Sequence, residues 1–144
     1  MWITLWKLWI PGDSWMRAAR VGTRVTRFSP MDGEPVVAQT GVAELPAGFG
    51  PATVLLDVRE DDEWSRGHAA DAQHIPMGQV AARLDEIDRS AALYVICKAG
   101  GRSAKVAQLL AHNGYEPINV NGGMLAWAEA GRPVVTDDGA PGTI

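Results

Sequence analysis

Short apolar runs rich in β-branched residues recur along the chain and predict buried strands. The clearest runs are residues 53–58 and 93–96, and residues 118–120 form a third. Uninterrupted apolar runs of this length are typical of strands that are covered on both faces. Two weaker stretches, residues 36–38 and 73–75, are candidates for further short strands.

Between these runs, apolar residues recur with helical spacing. An acidic helix is predicted to start at residues 61–64 and to stop at Gly67, and further helices are predicted over residues 80–87, 103–113 and 125–128. Strands that alternate with helices indicate an α/β domain with a mostly parallel sheet. In such domains ligands bind beyond the carboxyl ends of the strands.

Residues 1–30 differ in charge from the remainder of the chain. They hold five basic residues and one acidic residue, a net charge of +4, whereas residues 31–144 carry −8. We therefore assign residues 1–30 to a disordered or accessory N-terminal extension and residues 31–144 to the folded domain. Three interpretations of the extension stay open: an interfacial amphipathic anchor, an organelle-targeting peptide, or translated upstream sequence ahead of a true start at Met31. Its apolar run is too short to span a membrane, which needs roughly 20 residues.

The composition fits one globular domain and restricts its chemistry. Of 144 residues, 47% are hydrophobic and 21% are charged, and the net charge of −4 argues against general nucleic-acid binding. We expect no membrane association. The single cysteine, Cys97, excludes an internal disulfide, a zinc knuckle and a Cys-x-x-Cys redox pair. A structural or reactive thiol remains, and a reducing compartment, the cytoplasm, suits both.

Residues 97–103 form a predicted loop between a strand and a helix. Gly100 and Gly101 permit turns that point successive N–H groups inward, and the start of the helix adds further donors. Arg102 and Lys105 place positive charge near the start of that helix, which costs roughly 0.3–1 kcal/mol per residue unless an anion or a thiolate lies nearby. The pattern therefore predicts an anion-binding loop.

Cys97 begins this loop and is the candidate nucleophile. A helix N-terminus and neighbouring basic side chains can lower a cysteine pKa from about 8.5 to between about 3.5 and 7.5. The alternative is that Cys97 is a small buried hydrophobic residue and that the glycines only make a tight turn. The residues predicted to bind the substrate are Lys98, Ala99, Gly100, Gly101, Arg102 and Ser103.

The loop resembles the active-site loop of the rhodanese family, in which four residues separate Cys from Arg and Ser or Thr follows. Residues 55–60 resemble the family's first signature, a strand that ends in Asp-x-Arg, and residues 122–127 resemble its closing signature. The remaining matches follow in the family's order and are Glu63-Trp64, Gly67-His68, His74-Ile75-Pro76 and residues 131–134. The resemblance covers about residues 33–136. It departs at residues 69–71, where Ala-Ala-Asp replaces Ile-Pro-Gly, a change that concerns turn geometry rather than chemistry.

The resemblance implies a rhodanese-like fold of about five mostly parallel strands with helices on both faces. It also implies a sulfurtransferase, in which the Cys97 thiolate takes sulfur from thiosulfate or a persulfide and passes it to cyanide or a thiol. Arg102, assisted by Lys98, would bind the sulfonate of the donor, and loop N–H groups would hold the persulfide. Asp57 and Arg59 would support the loop through an ion pair. The acceptor must be external, a small thiol or a sulfur-accepting protein, and no metal or cofactor is expected.

Two other functions stay open. Phosphatases and arsenate reductases also use a Cys–Arg anion loop, but tyrosine phosphatases have His before the Cys and five residues between Cys and Arg. Here Ile96 precedes Cys97 and only four residues intervene. The second is a non-catalytic rhodanese-like module that binds a partner. His68 and His74 are expected to make structural hydrogen bonds, because nothing pairs them with further ligands at metal-site spacing.

Overall fold

The computed structural model describes the backbone of residues 26–27 and the whole of residues 35–144. Its strands are β1 (Thr26–Arg27), β2 (Ala38–Gly41), β3 (Thr53–Asp57), β4 (Gln73–His74), β5 (Ala92–Ile96) and β6 (Pro117–Asn121). Its α-helices are α1 (Asp61–Arg66), α2 (Gly101–His112) and α3 (Gly123–Glu129). Short 3-10 helices span Val42–Glu44, Met77–Ala82 and Leu84–Glu86.

The strands form one sheet in the order β1-β2-β6-β5-β3-β4. β1 pairs with β2 antiparallel, and all other pairings are parallel. The predicted five-stranded parallel sheet is therefore confirmed, with β1 added at one edge. β5 lies between β3 and β6, and its register places Ile96 beside Asp57. Cys97 thus leaves the sheet at the carboxyl edge, where ligands of α/β folds bind.

Two apolar clusters cover the two faces of the sheet. Leu56 and Val95 are register partners and pack in the cluster that contains Val106 of α2. Leu55 precedes Leu56 on β3 and faces the opposite side of the sheet, where it packs in the cluster that contains Trp127 of α3. Each such buried side chain stabilises the fold by about 1.5–3 kcal/mol relative to an exposed one. The prediction of helices on both faces is confirmed.

The prediction of one helix over residues 80–87 is wrong in helix type and in extent. Two 3-10 helices occupy this region, and Arg83 separates them with φ −122° and ψ 25°. Val80 and Ile87 are both buried and account for the apolar spacing. Apolar spacing over one or two turns does not distinguish short 3-10 helices from an α-helix.

β1 lies inside the segment that charge assigns to an extension. Thr26 and Arg27 pair with Gln39 and Ala38 of β2, so this part of the segment contributes to the sheet. The remainder of the proposed extension lies outside the described residues, and the boundary after residue 30 stays a prediction. Within the described residues, no helix is both long enough and apolar enough to cross a membrane.

Candidate active site

The sulfur of Cys97 lies beneath the loop that follows β5. Cys97 is buried, with 1% of its surface exposed. Its Sγ accepts a hydrogen bond from the Gly100 N–H at 3.1 Å, and the Ser103 hydroxyl oxygen lies 3.3 Å away. Gly100 has φ +109°, a left-handed conformation that turns its N–H back toward the sulfur and that favours glycine. Polar donors of the loop and of the first turn of α2 therefore face this buried sulfur.

α3 holds the outer side of the same loop. The N–H groups of Met124 and Leu125, in the first turn of α3, donate to the carbonyl oxygens of Cys97 and Lys98 at 2.8 and 3.0 Å. Gly123, at φ +56°, allows this close approach, because a Cβ there would collide with both carbonyl groups. With these carbonyls turned toward α3, the loop is free to direct N–H groups toward the sulfur. Residues 122–127, the closing signature of the sequence, thus hold the loop in this orientation.

Hydrogen bonding lowers the pKa of the Cys97 thiol below its ordinary value. Burial on its own raises the pKa, but hydrogen bonds from the Ser103 hydroxyl and from the N–H groups of Ser103, Gly100 and Ala99 outweigh it. The leading causes of the lowered pKa are thus donors of the loop and the first turn of α2. The sequence attributes the shift to the helix start and the neighbouring cations, and only the former is a leading cause.

Arg102, in the first turn of α2, is bonded to Glu63 of α1. Its Nη1 and Nη2 donate to the two carboxylate oxygens at 2.7 and 2.8 Å. The bond to Arg102 lowers the pKa of Glu63 to about 2, and it raises that of Arg102. Glu63 therefore supplies the negative charge that a cation at a helix N-terminus needs, a partner that the sequence analysis sought in a bound anion or the thiolate.

Asp57 and Arg59 form a buried ion pair at the end of β3. Arg59 Nη2 donates to Asp57 at 2.7 Å, and Arg59 and Asp57 are 1% and 0% exposed. The same Nη2 donates to the Gly67 carbonyl at 2.8 Å, directly after α1. The ion pair is present, and its further hydrogen bond reaches Gly67 at the end of α1. Its support of the loop at residues 97–103 stays a prediction.

The residues of the loop differ in their exposure to solvent. Lys98, Ala99 and Gly101 are exposed, whereas Ser103 is buried with the thiol. The thiol is therefore buried next to exposed residues of the same loop.

These features agree with a match to a known family. The family model of the Rhodanese-like domain matches residues 42–130. This chain belongs to the rhodanese-like family.

A sulfurtransferase of Allochromatium vinosum is 33% identical over 87 residues, which are 60% of this chain and 81% of that protein. Thiosulfate sulfurtransferase GlpE of Actinobacillus pleuropneumoniae serotype 3 is 32% identical over 83 residues, 57% of this chain and 77% of that protein. The crystal structure of a rhodanese-like domain protein from Staphylococcus aureus superposes on this chain with a TM-score of 0.58 and is 34% identical in sequence. The match covers 62% of this chain and 89% of the Staphylococcus aureus chain.

Sequence reasoning missed two residues of this rhodanese-like site. Glu63 enters the sequence analysis as part of an acidic helix start and of the Glu63-Trp64 family match, but not as a partner of Arg102, although the unmatched cation at Arg102 indicates that a negative charge is needed. Asn119 of β6 appears in the sequence only as part of the strand at residues 118–120. Its Nδ2 donates to Gln39 Oε1 at 2.8 Å and lies 3.4 Å from the Gly100 carbonyl oxygen, which places it behind the loop.

His68 and His74 make structural contacts, as expected. Their rings stack on opposite sides of the Trp64 ring, with centroid distances of 3.6 and 4.5 Å. Nδ1 of His68 donates to the Trp64 carbonyl at 2.9 Å, and Nε2 of His74 donates to the Arg59 carbonyl at 2.8 Å. In residues 26–27 and 35–144, no group of three or more metal-binding side chains is close enough to hold an ion.

The departure at residues 69–71 is accommodated by a closed turn. The Ala72 N–H donates to the Ala69 carbonyl at 3.1 Å, and Ala69 is buried with 2% of its surface exposed. A small apolar residue therefore fills the first position of this turn, where the family pattern has Ile.

Proposed function

We propose that this protein is a sulfurtransferase that carries sulfur as a persulfide on Cys97. The observation that carries the proposal is the environment of the thiol, where an N–H group and a hydroxyl group point at a buried sulfur with a lowered pKa. A thiolate is the nucleophilic form of cysteine. The same donors suit the negative charge of a persulfide, which forms on the same atom. Relatives that are named sulfurtransferases support this assignment.

The reaction proceeds in two balanced transfers. The Cys97 thiolate attacks the outer sulfur of thiosulfate, the sulfur–sulfur bond of the donor breaks, and sulfite leaves with the electron pair. An external thiolate then attacks the outer sulfur of the persulfide, and the Cys97 thiolate leaves. A persulfide donor reacts in the same way and releases its thiolate. Since the chain holds one cysteine, the acceptor is a small thiol, cyanide or a sulfur-accepting protein.

Donor binding is assigned to the loop and its cations. Loop N–H groups of residues 98–103 hold the persulfide, and Arg102 and exposed Lys98 attract the donor's sulfonate. Both terminal nitrogens of Arg102 are bonded to Glu63, so a sulfonate must share the guanidinium with that carboxylate or displace it.

The geometry favours sulfur transfer over the other functions considered. Four residues between Cys97 and Arg102 make a shorter loop than that of tyrosine phosphatases, and such a loop suits a sulfur atom better than a phosphoryl group. A partner-binding module has no need of a thiol with a lowered pKa. A reactive thiol also suits a reducing compartment, and we place the protein in the cytoplasm.

Intact-mass analysis tests the proposal. Incubation with thiosulfate, and separately with cysteine persulfide, should add the mass of one sulfur atom, and a later small thiol should remove it. The Cys97→Ser variant should gain nothing. A wild-type protein that gains no sulfur from either donor class would overturn the proposal, and release of phosphate from an aryl phosphate would favour a phosphatase instead.

A further inference from the structure

The C-terminal segment, residues 134–144, packs against the end of α1. It lies beyond residues 42–130, the range that the family model matches. His68 and Val135 exchange backbone hydrogen bonds at 2.8 and 2.9 Å, and the Thr143 N–H donates to the Arg66 carbonyl at 2.9 Å. The last turn of α1 and the residues after it are therefore paired with a part of the chain outside the family match.

The two backbones approach closely at a pair of glycines. A Cβ on Gly142 would lie 2.7 Å from Gly67 Cα and 2.8 Å from the Arg66 carbonyl oxygen. A Cβ on Gly67 would lie 2.6 Å from the Thr143 carbonyl oxygen. Because both sets of contacts involve backbone atoms, either substitution must move the C-terminal segment relative to α1.

α1 depends on such contacts because it has little core of its own. In the described part of the chain, none of its six residues is buried. Its Trp64 is stacked between the rings of His68 and His74, and Trp64 Nε1 donates to Asp137 of the C-terminal segment at 3.1 Å. His68 Nε2 lies 3.6 Å from the same carboxylate oxygen. The ring stack and Asp137 together fix the face of α1 that carries Trp64.

We propose that the C-terminal segment is a positioning element for Arg102. Through Asp137 and Gly142 it fixes α1, and α1 carries Glu63, whose carboxylate holds and neutralises the guanidinium of Arg102. The segment thereby sets how much positive charge the active-site loop presents to an anionic reagent. The link to sulfur donors rests on the proposed function, whereas the effect on Arg102 is a property of the structure alone.

Alkylation of the single cysteine measures this effect without any sulfur transfer. Iodoacetate is an anion and iodoacetamide is neutral. The rate constant of iodoacetate at Cys97 divided by that of iodoacetamide therefore increases with the local positive charge. A change in thiol pKa or in access alters both rates together. When Glu63 no longer neutralises Arg102, the ratio should rise by about twofold, the effect of one partly screened charge.

The variants separate positioning from general destabilisation. Gly142→Ala displaces the segment. Asp137→Ala removes the carboxylate that accepts the hydrogen bond of Trp64, and because this side chain is 72% exposed, the variant is expected to fold. Both should raise the ratio. Asp137→Asn keeps an acceptor oxygen and should restore a ratio close to wild type. Gly78→Ala is the matched control, because a Cβ there meets nothing within 4 Å.

A double-mutant cycle decides the route. Glu63→Gln should itself raise the ratio, and in that background Gly142→Ala and Asp137→Ala should have no further effect, because the route through Glu63 is already cut. An unchanged ratio in both single variants, or an equal change in both backgrounds, would overturn the inference. Sulfur loading of the wild-type protein is scored separately, so failure of the proposed function leaves the alkylation result intact and the two failures are distinguishable.

Discussion

The Ser103 hydroxyl oxygen lies 3.3 Å from Sγ of Cys97 and 3.1 Å from the carbonyl oxygen of Gly100. The hydroxyl carries one proton, and it can donate that proton to the sulfur or to the carbonyl. When the sulfur is a thiolate, the charged acceptor is the stronger one. Ser103 is therefore a donor whose bond to sulfur forms as the proton leaves the thiol.

Replacing Ser103 by Ala should raise the pKa of Cys97. The side-chain hydrogen bond from Ser103 is the largest of the causes that lower this pKa, and burial, which raises it, remains. The loss of one hydrogen bond to a charged group, about 1.5 kcal/mol, should slow iodoacetamide alkylation by about tenfold at pH values well below the midpoint of the pH–rate profile, where the thiolate is the minor form. The midpoint of the pH–rate profile should move to higher pH. Ser103→Thr keeps the hydroxyl and should stay near wild type, and an unshifted midpoint in Ser103→Ala would remove the hydroxyl from this role.

The buried ion pair of Asp57 and Arg59 should make a large contribution to stability. Arg59→Met leaves Asp57 buried without its partner, which costs about 3–5 kcal/mol. Arg66→Met is the control, because the side chains of Arg66 and its partner Asp62 are 61% and 77% exposed. This variant should lower the free energy of unfolding by only about 0–1 kcal/mol. Urea unfolding measures both. Equal costs in the two variants would contradict the structural role assigned to the buried pair.

The ion pair of Glu63 and Arg102 should give the stability a distinct dependence on pH. Arg102 lowers the pKa of Glu63 from 4.5 to about 2. A depressed pKa adds stability that is fully present above about pH 4.5 and is lost as the pH falls toward about 2. Allowing for the exposure of Arg102, the amount is about 1–2 kcal/mol. In urea unfolding, the free energy of unfolding of Glu63→Gln should fall less between about pH 4.5 and 2 than that of the wild-type protein. Parallel pH profiles for the two proteins would show that the pair contributes nothing.

The sequence is sufficient for the parts of the fold that depend on local pattern. β3 and β5 are covered on both faces, so their residues form uninterrupted apolar runs, and Cys97 follows one of them directly. The bond between Arg102 and Glu63 joins residues 39 positions apart and depends on how α1 is placed, which no local pattern records. Arg83 interrupts a region whose buried residues keep helical spacing. A two-residue strand such as β1 is too short to leave any period.

Gly123→Ala should disrupt the loop more than backbone strain alone explains. At φ +56°, any L side chain is strained by roughly 1–2 kcal/mol, and a Cβ would also collide with the carbonyl groups of Cys97 and Lys98. Gly131→Ala is the matched control, because Gly131 has φ +75° and a Cβ there meets nothing within 4 Å. The control should lose only the strain energy in urea unfolding and keep wild-type alkylation of Cys97. Gly123→Ala should lose more stability than the control and should also alter the pH–rate profile of Cys97, since α3 no longer holds the loop carbonyls away from the sulfur. If both variants lose equal stability and leave the thiol unchanged, α3 does not shape the site.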